Sequence, residues 1–236
     1  MSNMIKLEIY RYDPEKDDVP SMQSYEVPHE QKGMKLLEAL NYIKWHIDGT
    51  LTFRRSCGEG VCGSDGMNIN GVNGLACITP IAGLKQPIRL RPLPSMEVIR
   101  DLVVDTTHFF DQYRQIKPWL QTTSPAPEHE RLQTPDERAE LDGLYECIMC
   151  GCCTTSCPSW WWNGDRFMGP AVLLQADRWI KDSRDEATGK RLDQLEDAFK
   201  LYRCHQIMNC MEACPKGLNP TAAINHIKRT LLNRKS

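Results

Sequence analysis

The sequence predicts an α+β protein with two domains, a β-rich domain over residues 1–104 and an all-helical domain over residues 105–236. In the first domain, apolar side chains alternate along short segments, which is the period of half-buried strands. From about residue 101 they recur every three or four residues, which indicates helices. The eleven cysteines follow the same division, with three in the first domain and eight in the second.

The β-rich domain is predicted to begin with a hairpin, because two alternating segments flank the turn-like pair Asp13-Pro14. The residues that share one face are Ile5, Leu7 and Ile9 in the first segment and Gln23, Tyr25 and Val27 in the second. A helix is expected next, because apolar residues recur at helical spacing, namely Leu36, Leu37, Leu40 and Ile43.

Strand and turn signals predict the rest of this domain. Residues 51–54 are expected to form a strand that leads into a glycine-rich loop, and residues 88–91 a last strand. The Asn-Gly pairs at 70–71 and 73–74 predict tight turns. The composition changes at Pro92-Leu93-Pro94, so we place the domain boundary shortly after this segment.

The all-helical domain is predicted to begin with a helix from about Asp101 that ends before Pro118. Its broad apolar face consists of Leu102, Val103, Phe109, Phe110, Tyr113 and Ile116. A polar linker follows over residues 121–133. Thr134, Pro135 and Glu137 then form the pattern of a capping box with proline at the first helical position, and Asn219-Pro220 begins the final helix similarly.

Composition excludes several classes of function. The net charge of -2 and the pI near 6.3 provide no basic surface for nucleic acid, so no nucleic-acid partner is expected. No run of eighteen apolar residues is present, so a soluble or peripheral protein without a membrane span is expected. Residues 1–10 lack the pattern of a signal or transit peptide. Cysteines in a chain without an export signal indicate metal or redox chemistry rather than disulfides, and eleven is an odd number.

The first cysteine group has the spacing of a plant-type ferredoxin. Cys57 and Cys62 are separated by four residues, two more precede Asp65, and eleven separate Asp65 from Cys77. Asp65 occupies the place of the third cysteine. This pattern predicts a 2Fe–2S cluster bound by Cys57, Cys62, Asp65 and Cys77, in a loop whose backbone approaches the sulfurs closely at Gly58, Gly60, Gly63 and Gly66.

Two alternatives concern this loop. Asp65 either binds iron or only forms a hydrogen bond in the loop while another group or water completes the iron; its position favours ligation. Residues 58–63 also match the dinucleotide-binding pattern G-x-G-x-x-G. We reject this match, because no helix is predicted to follow and cysteines interrupt it.

The second and third cysteine groups are related by a repeat of 57 residues. The first copy, Cys147, Cys150, Cys153 and Cys157-Pro158, has the bacterial ferredoxin spacing, in which the fourth cysteine serves the other cluster. The second copy is Cys204, Ile207, Cys210 and Cys214-Pro215, so Ile207 replaces one ligand. We therefore predict a bacterial-ferredoxin-like domain with two clusters.

The exchange of the fourth cysteines assigns the ligands of both clusters. A 4Fe–4S cluster is predicted on Cys147, Cys150, Cys153 and Cys214. Only Cys157, Cys204 and Cys210 remain for the other cluster, and Ile207 offers no donor, so a 3Fe–4S cluster is predicted there. Cys152 lies outside this scheme and is expected to be a small buried thiol. Structural zinc is the competing interpretation of paired cysteines, but it does not explain the Cys-Pro pairs or the exchange.

Aromatic and polar residues are expected beside the three-iron cluster. Trp160, Trp161 and Trp162 follow Cys157 closely, and His205 follows Cys204. An aromatic run with polar indole edges suits a membrane interface or a flat aromatic acceptor such as a quinone. The alternative is that two tryptophans pack in the core and the third contacts a partner. His205 is suited to proton transfer, or else caps a helix or orients a cluster sulfur.

Several segments resemble the iron–sulfur subunits of the succinate:quinone oxidoreductase family, in particular those of bacterial succinate dehydrogenase. They are Arg54–Gly66, Asn73–Cys77, Leu144–Cys147, Cys157–Ser159 with the tryptophans, and Cys214–Pro220. The resemblance extends over nearly the whole chain. Aspartate at position 65 matches a bacterial variant of the first cluster, since other members have cysteine there.

The resemblance implies a plant-type ferredoxin (β-grasp) fold for the first domain and a complex with several partners. A flavoprotein subunit oxidises succinate, this chain relays electrons from 2Fe–2S to 4Fe–4S to 3Fe–4S, and two membrane-anchor subunits of the cytochrome b type complete a ubiquinone site. The chain would then be peripheral, on the cytoplasmic side of the bacterial inner membrane. The quinone-site residues of the family correspond to Pro158, Ser159, Trp162, His205 and Ile207.

Three other functions compete with this interpretation. Fumarate reductase has the same architecture and runs in reverse; Ile207 and the tryptophan run favour the dehydrogenase. A free-standing ferredoxin with several clusters, or a structural zinc module, would have no dedicated partner subunits.

Overall fold

The computed structural model describes residues 4–29 and 33–235. It contains two compact units, which are described one after the other. The first unit extends to Thr106 and also includes Ile148–Ser156. The second unit consists of Thr107–Cys147 and the chain from Cys157 onwards. The segment that carries Cys150, Cys152 and Cys153 therefore packs with the β-rich part of the chain.

The first unit is built on a mixed sheet of five strands in the order β2-β1-β5-β3-β4. The strands are β1 (Met4–Arg11), β2 (Ser21–Pro28), β3 (Gly66–Ile69), β4 (Val72–Leu75) and β5 (Ile88–Arg91), with a separate pair β6 (Val98–Arg100) and β7 (Val103–Val104). β1 and β5 are parallel, and the other neighbours in the large sheet are antiparallel. The predicted hairpin is confirmed, because β1 pairs with β2 throughout its length.

The core of this unit lies between the sheet and one helix, α1 (Leu36–Tyr42), which continues as a π-helix over Ile43–Ile47. Ile5, Leu7 and Ile9 are buried, as the alternation predicts, because successive strand residues point to opposite faces. The helix contributes buried residues at the predicted spacing, namely Leu36, Leu37, Leu40 and Ile43. The fold is the mixed, grasp-like sheet that the first domain was predicted to have.

Two predictions for this unit are wrong. Residues 51–54 form no strand, because the backbone of Thr52 bonds to a loop instead of a neighbouring strand: its N–H donates to Asp101 Oδ2 at 2.8 Å and its carbonyl accepts from Leu102 at 3.2 Å. The pair Asn73-Gly74 forms no turn and lies within β4. The Asn70-Gly71 turn is confirmed, with φ of 51° and 94°.

The second unit is helical. Its helices are α2 (Thr107–Gln115), α3 (Pro135–Ala139), α5 (Pro158–Asn163), α6 (Gly169–Lys181), α7 (Thr188–Leu195), α8 (Asn209–Glu212) and α9 (Pro220–Lys235), while the short α4 (Cys152–Thr155) belongs to the first unit. α6 packs against α7 and α9. None of the described helices combines the length and apolar composition that a bilayer crossing would need.

The predicted helix starts are confirmed at two places, and one start is wrong. Thr134 and Glu137 form the capping box, and Asn219 Oδ1 accepts from the N–H of Ala222 at 2.9 Å to begin α9. The helix predicted from Asp101 begins only at Thr107, because Val103 and Val104 pair with β6.

A buried ion pair fixes the end of β1 to the segment that leads into the first cysteine loop. Asp101 is 2% exposed, and its carboxylate accepts from Arg11 Nε at 3.0 Å, Tyr12 N–H at 3.0 Å and Thr52 N–H at 2.8 Å. Asp48 also accepts from Arg11, and these carboxylates raise the pKa of Arg11, although burial opposes them. The carboxylate of Asp101 therefore bonds the Thr52 N–H that a neighbouring strand would otherwise bond.

Replacing Asp101 by asparagine should lower the free energy of unfolding by about 3 kcal/mol. The substitution keeps the shape and the left-handed backbone, but it removes the more deeply buried of the two counter-charges of Arg11 and turns an amide NH₂ toward a donor. Urea unfolding followed by far-UV circular dichroism measures the change. Glu26→Gln is the matched control, because its pair with Lys6 is exposed and should contribute less than about 0.5 kcal/mol. Equal effects of the two substitutions would contradict the proposed role of Asp101.

Candidate metal centres

The first cysteine loop wraps its backbone N–H groups around Cys57. Gly58, Gly60 and Gly63 have φ between 70° and 76°, a left-handed conformation that glycine adopts without strain. The N–H groups of Glu59, Val61 and Cys62 lie 3.5, 3.3 and 3.3 Å from Cys57 Sγ. These bonds lower the pKa of the Cys57 thiol to about 6. Because the thiolate is the form that binds metal, the loop favours a ligand at Cys57.

The second sulfur of this loop also receives donors. Cys62 Sγ lies 3.5 Å from the N–H of Cys57 and 3.2 Å from Ser64 Oγ. No helix follows the loop, so the structure agrees with the rejection of the dinucleotide pattern over residues 58–63. The loop is thus arranged around sulfur atoms rather than around a phosphate.

Asp65 faces the same loop with one carboxylate oxygen unpaired. Its side chain is 3% exposed, and Oδ2 accepts from the N–H of Cys77 at 2.5 Å. Oδ1 is buried and has no hydrogen-bond partner. Burial, and then the Asp65 carboxylate, raise the pKa of the Cys77 thiol to about 12. A buried carboxylate oxygen without a partner is costly. The donor set therefore fits a cationic iron centre, which would compensate Oδ1 and the sulfurs together.

The repeated cysteine runs share a backbone conformation. Met149 and Gly151 have φ of 51° and 79°, and the residues 57 positions later, Gln206 and Met208, have φ of 57° and 72°. A four-residue helix follows in each case, α4 in the first run and α8 in the second. The sequence repeat is thus also a repeat of local structure.

Three cysteines of the second unit line one pocket. Its walls include Cys157, Cys204, Cys210, Ser159, His205 and Ile207. Burial raises the pKa of the thiols of Cys157 and Cys210, and Thr221 Oγ1 lies 3.4 Å from Cys210 Sγ. A pocket lined by three cysteines fits an iron–sulfur cluster with three thiolate ligands.

The predicted acceptor residues divide between the pocket and the surface. Pro158, Ser159, His205 and Ile207 line the pocket, whereas Trp162 does not line it and is 77% exposed. Trp160 is buried and donates to Gln112 Oε1 at 3.2 Å. Trp161 is 44% exposed, so only one of the tryptophans packs in the core, not two.

Two residues beside this pocket carried no sequence signal. Thr221 contacts Cys210, and Lys228 Nζ donates to the carbonyl of Cys204 at 2.9 Å. Both lie on α9, and only their places after the Asn219-Pro220 helix start connect them with the cysteine run. Their contacts with Cys210 and Cys204 are made by the packing of α9 against the second cysteine run, which the sequence alone does not reveal.

The four remaining predicted ligands lie in different units. Cys150 and Cys153 belong to the first unit, and Cys147 and Cys214 to the second. Cys214 Sγ accepts from the N–H of Leu218 at 3.4 Å. The assignment of these four cysteines to a 4Fe–4S cluster stays a prediction. The residue left over, Cys152, is fully buried in the core of the first unit.

The cysteines form no disulfides. In residues 4–29 and 33–235, no three His, Cys, Asp or Glu side chains converge closely enough to hold a metal ion. A cluster spreads several irons over its volume, so its ligands do not have to meet at one point.

Comparisons with known proteins agree with this geometry. Residues 6–111 match the family model of the 2Fe-2S iron-sulfur cluster binding domain, and residues 143–218 match that of the 4Fe-4S dicluster domain. The succinate dehydrogenase iron-sulfur subunit of Paracoccus denitrificans is 54% identical over 233 residues, which cover 99% of this chain and 90% of the relative.

Solved structures share the fold. A chain of the Mycobacterium smegmatis Sdh1 complex in the apo form superposes with a TM-score of 0.89 and 24% identity, and the match covers 100% of this chain and 98% of that one. A hypothetical protein from Helicobacter pylori has a TM-score of 0.60 and 16% identity, covering 99% of this chain and 41% of that one. At these identities the two structures support the architecture alone.

Asp65→Asn separates the two interpretations of Asp65. If Oδ1 binds iron, the loss of its charge should reduce the content of the 2Fe–2S cluster and change its electron paramagnetic resonance (EPR) signal, whereas Asp65→Cys should retain the cluster. If Asp65 only accepts from Cys77, the asparagine carbonyl performs the same task and the signal stays unchanged. Iron content and EPR of the reduced protein measure the effect. Val61→Ala, which shortens an exposed side chain of the same loop and keeps its N–H, is the control for disturbance of the loop.

Proposed function

Because the chain belongs to the family of succinate dehydrogenase iron-sulfur subunits, we propose that it relays electrons from a flavoprotein subunit, which oxidises succinate to fumarate, to ubiquinone. It is an electron-transfer subunit of a succinate dehydrogenase complex, with a 2Fe–2S domain and a 4Fe–4S dicluster domain. When bound, the clusters supply the one-electron carriers that this relay needs, in the order 2Fe–2S, 4Fe–4S and 3Fe–4S. The protein would hold them in separate loops.

The proposed ligands follow the cysteine runs. Cys57, Cys62, Asp65 and Cys77 hold the 2Fe–2S cluster; Cys147, Cys150, Cys153 and Cys214 hold the 4Fe–4S cluster; and Cys157, Cys204 and Cys210 hold the 3Fe–4S cluster. The orphaned oxygen of Asp65 supports the first set. The common pocket of Cys157, Cys204 and Cys210 supports the third.

The pocket of the second unit is the observation that carries the proposal. Cys157 lines it together with two cysteines of the other run, Cys204 and Cys210, as the exchange of the fourth ligands requires. Ile207 occupies, in the second run, the position that Cys150 has in the first run, and it lines the same pocket. An isoleucine side chain has no donor atom for a fourth iron, which favours a three-iron centre.

The electron acceptor is proposed to bind beside this pocket, against Pro158, Ser159, Trp162, His205 and Ile207. His205 is exposed, and an imidazole can donate or accept a proton, which quinone reduction requires. Trp162 offers an exposed indole of the kind found at membrane interfaces. Two membrane-anchor subunits would complete the site, on the cytoplasmic side of the inner membrane.

Purification of the whole complex tests the function. Succinate-dependent reduction of a ubiquinone analogue, with the chain copurifying with a flavoprotein and anchor subunits, is the expected result. Faster fumarate reduction than succinate oxidation would favour the reverse enzyme. A coloured monomer without partners would indicate a free-standing ferredoxin, and a colourless monomer with zinc would overturn the electron-relay function.

Ile207→Cys should convert the three-iron centre into a four-iron centre. A thiolate at this register position supplies the missing fourth ligand, so the EPR signal of the oxidised 3Fe–4S cluster should be largely lost and the iron content should rise. Leu232→Cys is the control, because it places a thiol on an exposed residue of the same unit that does not line the pocket. An unchanged spectrum in Ile207→Cys would contradict the assignment of Cys157, Cys204 and Cys210.

A further inference from the structure

The segment Ile148–Ser156 packs as part of the first unit, although it belongs to the second cysteine run. Cys152 is fully buried in the core of that unit, and Ile148 and Cys150 pack against the same core. Two proposed ligands of the 4Fe–4S cluster, Cys150 and Cys153, therefore lie on the same rigid core as the loop of the 2Fe–2S cluster.

A buried asparagine holds this segment in place. Asn73 on β4 is 6% exposed, and its Nδ2 lies within hydrogen-bond distance of three acceptors, Cys152 O at 3.2 Å, Thr155 Oγ1 at 3.0 Å and Ser156 Oγ at 2.8 Å. Its Oδ1 accepts from Asn68 Nδ2 at 2.8 Å, which fixes the orientation of the amide. The NH₂ group and the oxygen of this amide are thus both paired, the first with the segment and the second with the neighbouring strand β3.

Gly63 brings the first cluster loop into direct contact with Cys150. A Cβ atom at Gly63 would lie 2.9 Å from both Cα and Cβ of Cys150 and 2.9 Å from the carbonyl oxygen of Ile148. Real Cβ atoms essentially never come this close, so only glycine allows the packing. Gly63 directly follows Cys62, a proposed ligand of the first cluster. No side chain therefore separates that loop from Cys150.

We propose that Gly63 and Asn73 are positioning residues, which hold Cys150 directly against the loop of Cys57 and Cys62 and thereby set the electronic coupling between the first and second clusters. The inference rests on the proposed ligand sets. Electronic coupling between two centres falls steeply with their separation, so a packing contact without an intervening side chain strengthens it. Neither residue binds iron; each acts through the position of Cys150.

The test compares two glycines of the first unit in the purified complex. Gly63→Ala introduces a methyl group against Cys150, whereas Gly83→Ala also places alanine in a left-handed conformation, with φ of 90°, but lies outside the cysteine loop and meets no atom within 4 Å. The readout is the electron-spin relaxation of the reduced 2Fe–2S signal after chemical reduction of both clusters, because a nearby second spin speeds that relaxation. Gly63→Ala should slow it several-fold toward that of an isolated cluster, and Gly83→Ala should leave it as in the unmodified complex. Equal relaxation in the two variants would overturn the inference.

If the Gly63→Ala variant fails to assemble, the less disruptive substitution Asn73→Ser tests the same inference. Asn73→Ser retains a polar side chain but is too short to reach the three acceptors, so it should also slow the relaxation while both clusters remain. Unchanged relaxation in Asn73→Ser would overturn the inference. Iron and sulfide content with the EPR signals of the unmodified complex test the ligand sets separately, so failure of the proposed function is distinguishable from failure of this coupling.

Discussion

Thiolates that bind iron must be surrounded by backbone N–H groups, and this requirement forces the cysteine loops into left-handed conformations. In the first loop, glycines provide these conformations without strain, and three N–H groups reach Cys57. In the later runs, Met149, Gln206 and Met208 adopt them, at a cost of about 1–2 kcal/mol for each non-glycine residue. Such strain persists only where the surrounding structure fixes the backbone, so the folded elements around each run hold its ligands in place.

Because these conformations cost free energy, bonds from other elements have to hold the loops and the short helices beside them. α8 has four residues and is too short to be stable alone, but the carbonyl of Cys204, in the same run, accepts from Lys228 on α9. In the first unit, the segment before the cysteine loop is held by Asp101, which also binds Arg11. The ligand loops therefore depend on residues that are distant in sequence.

Dependence on distant residues also sets the limit of what the sequence predicts. Features with local causes were predictable: the alternation of β1, the capping box at Thr134 and the spacing of the cysteines all depend on neighbours within a few positions. Asn73-Gly74 has a strong turn propensity, yet it lies in a strand because Asn73 bonds to residues about 80 positions away. Residues 51–54 likewise form no strand, because the Thr52 N–H donates to Asp101, 49 residues away.

The pairing of their oxygens, rather than their burial, distinguishes the two buried carboxylates Asp101 and Asp65. Asp101 and Asp65 are both almost fully buried in the first unit. Both oxygens of Asp101 accept hydrogen bonds, from Arg11, Tyr12 and Thr52, so its charge is compensated by the fold. Asp65 keeps one oxygen without a partner. The sequence marks Asp65 only by its position in the cysteine pattern, whereas the structure adds an independent physical reason for a cation there.

In the second unit, the geometry of α5 connects the proposed three-iron site with the surface. Cys157 precedes the helix, Ser159 in its first turn is buried, and both line the pocket. The bond of Trp160 to Gln112 fixes the rotation of the helix, which leaves Trp162 exposed. A helix of six residues is about 9 Å long. An acceptor that contacts Trp162 would therefore lie within about one helix length of Cys157, so this short helix keeps the exposed indole close to the proposed three-iron site.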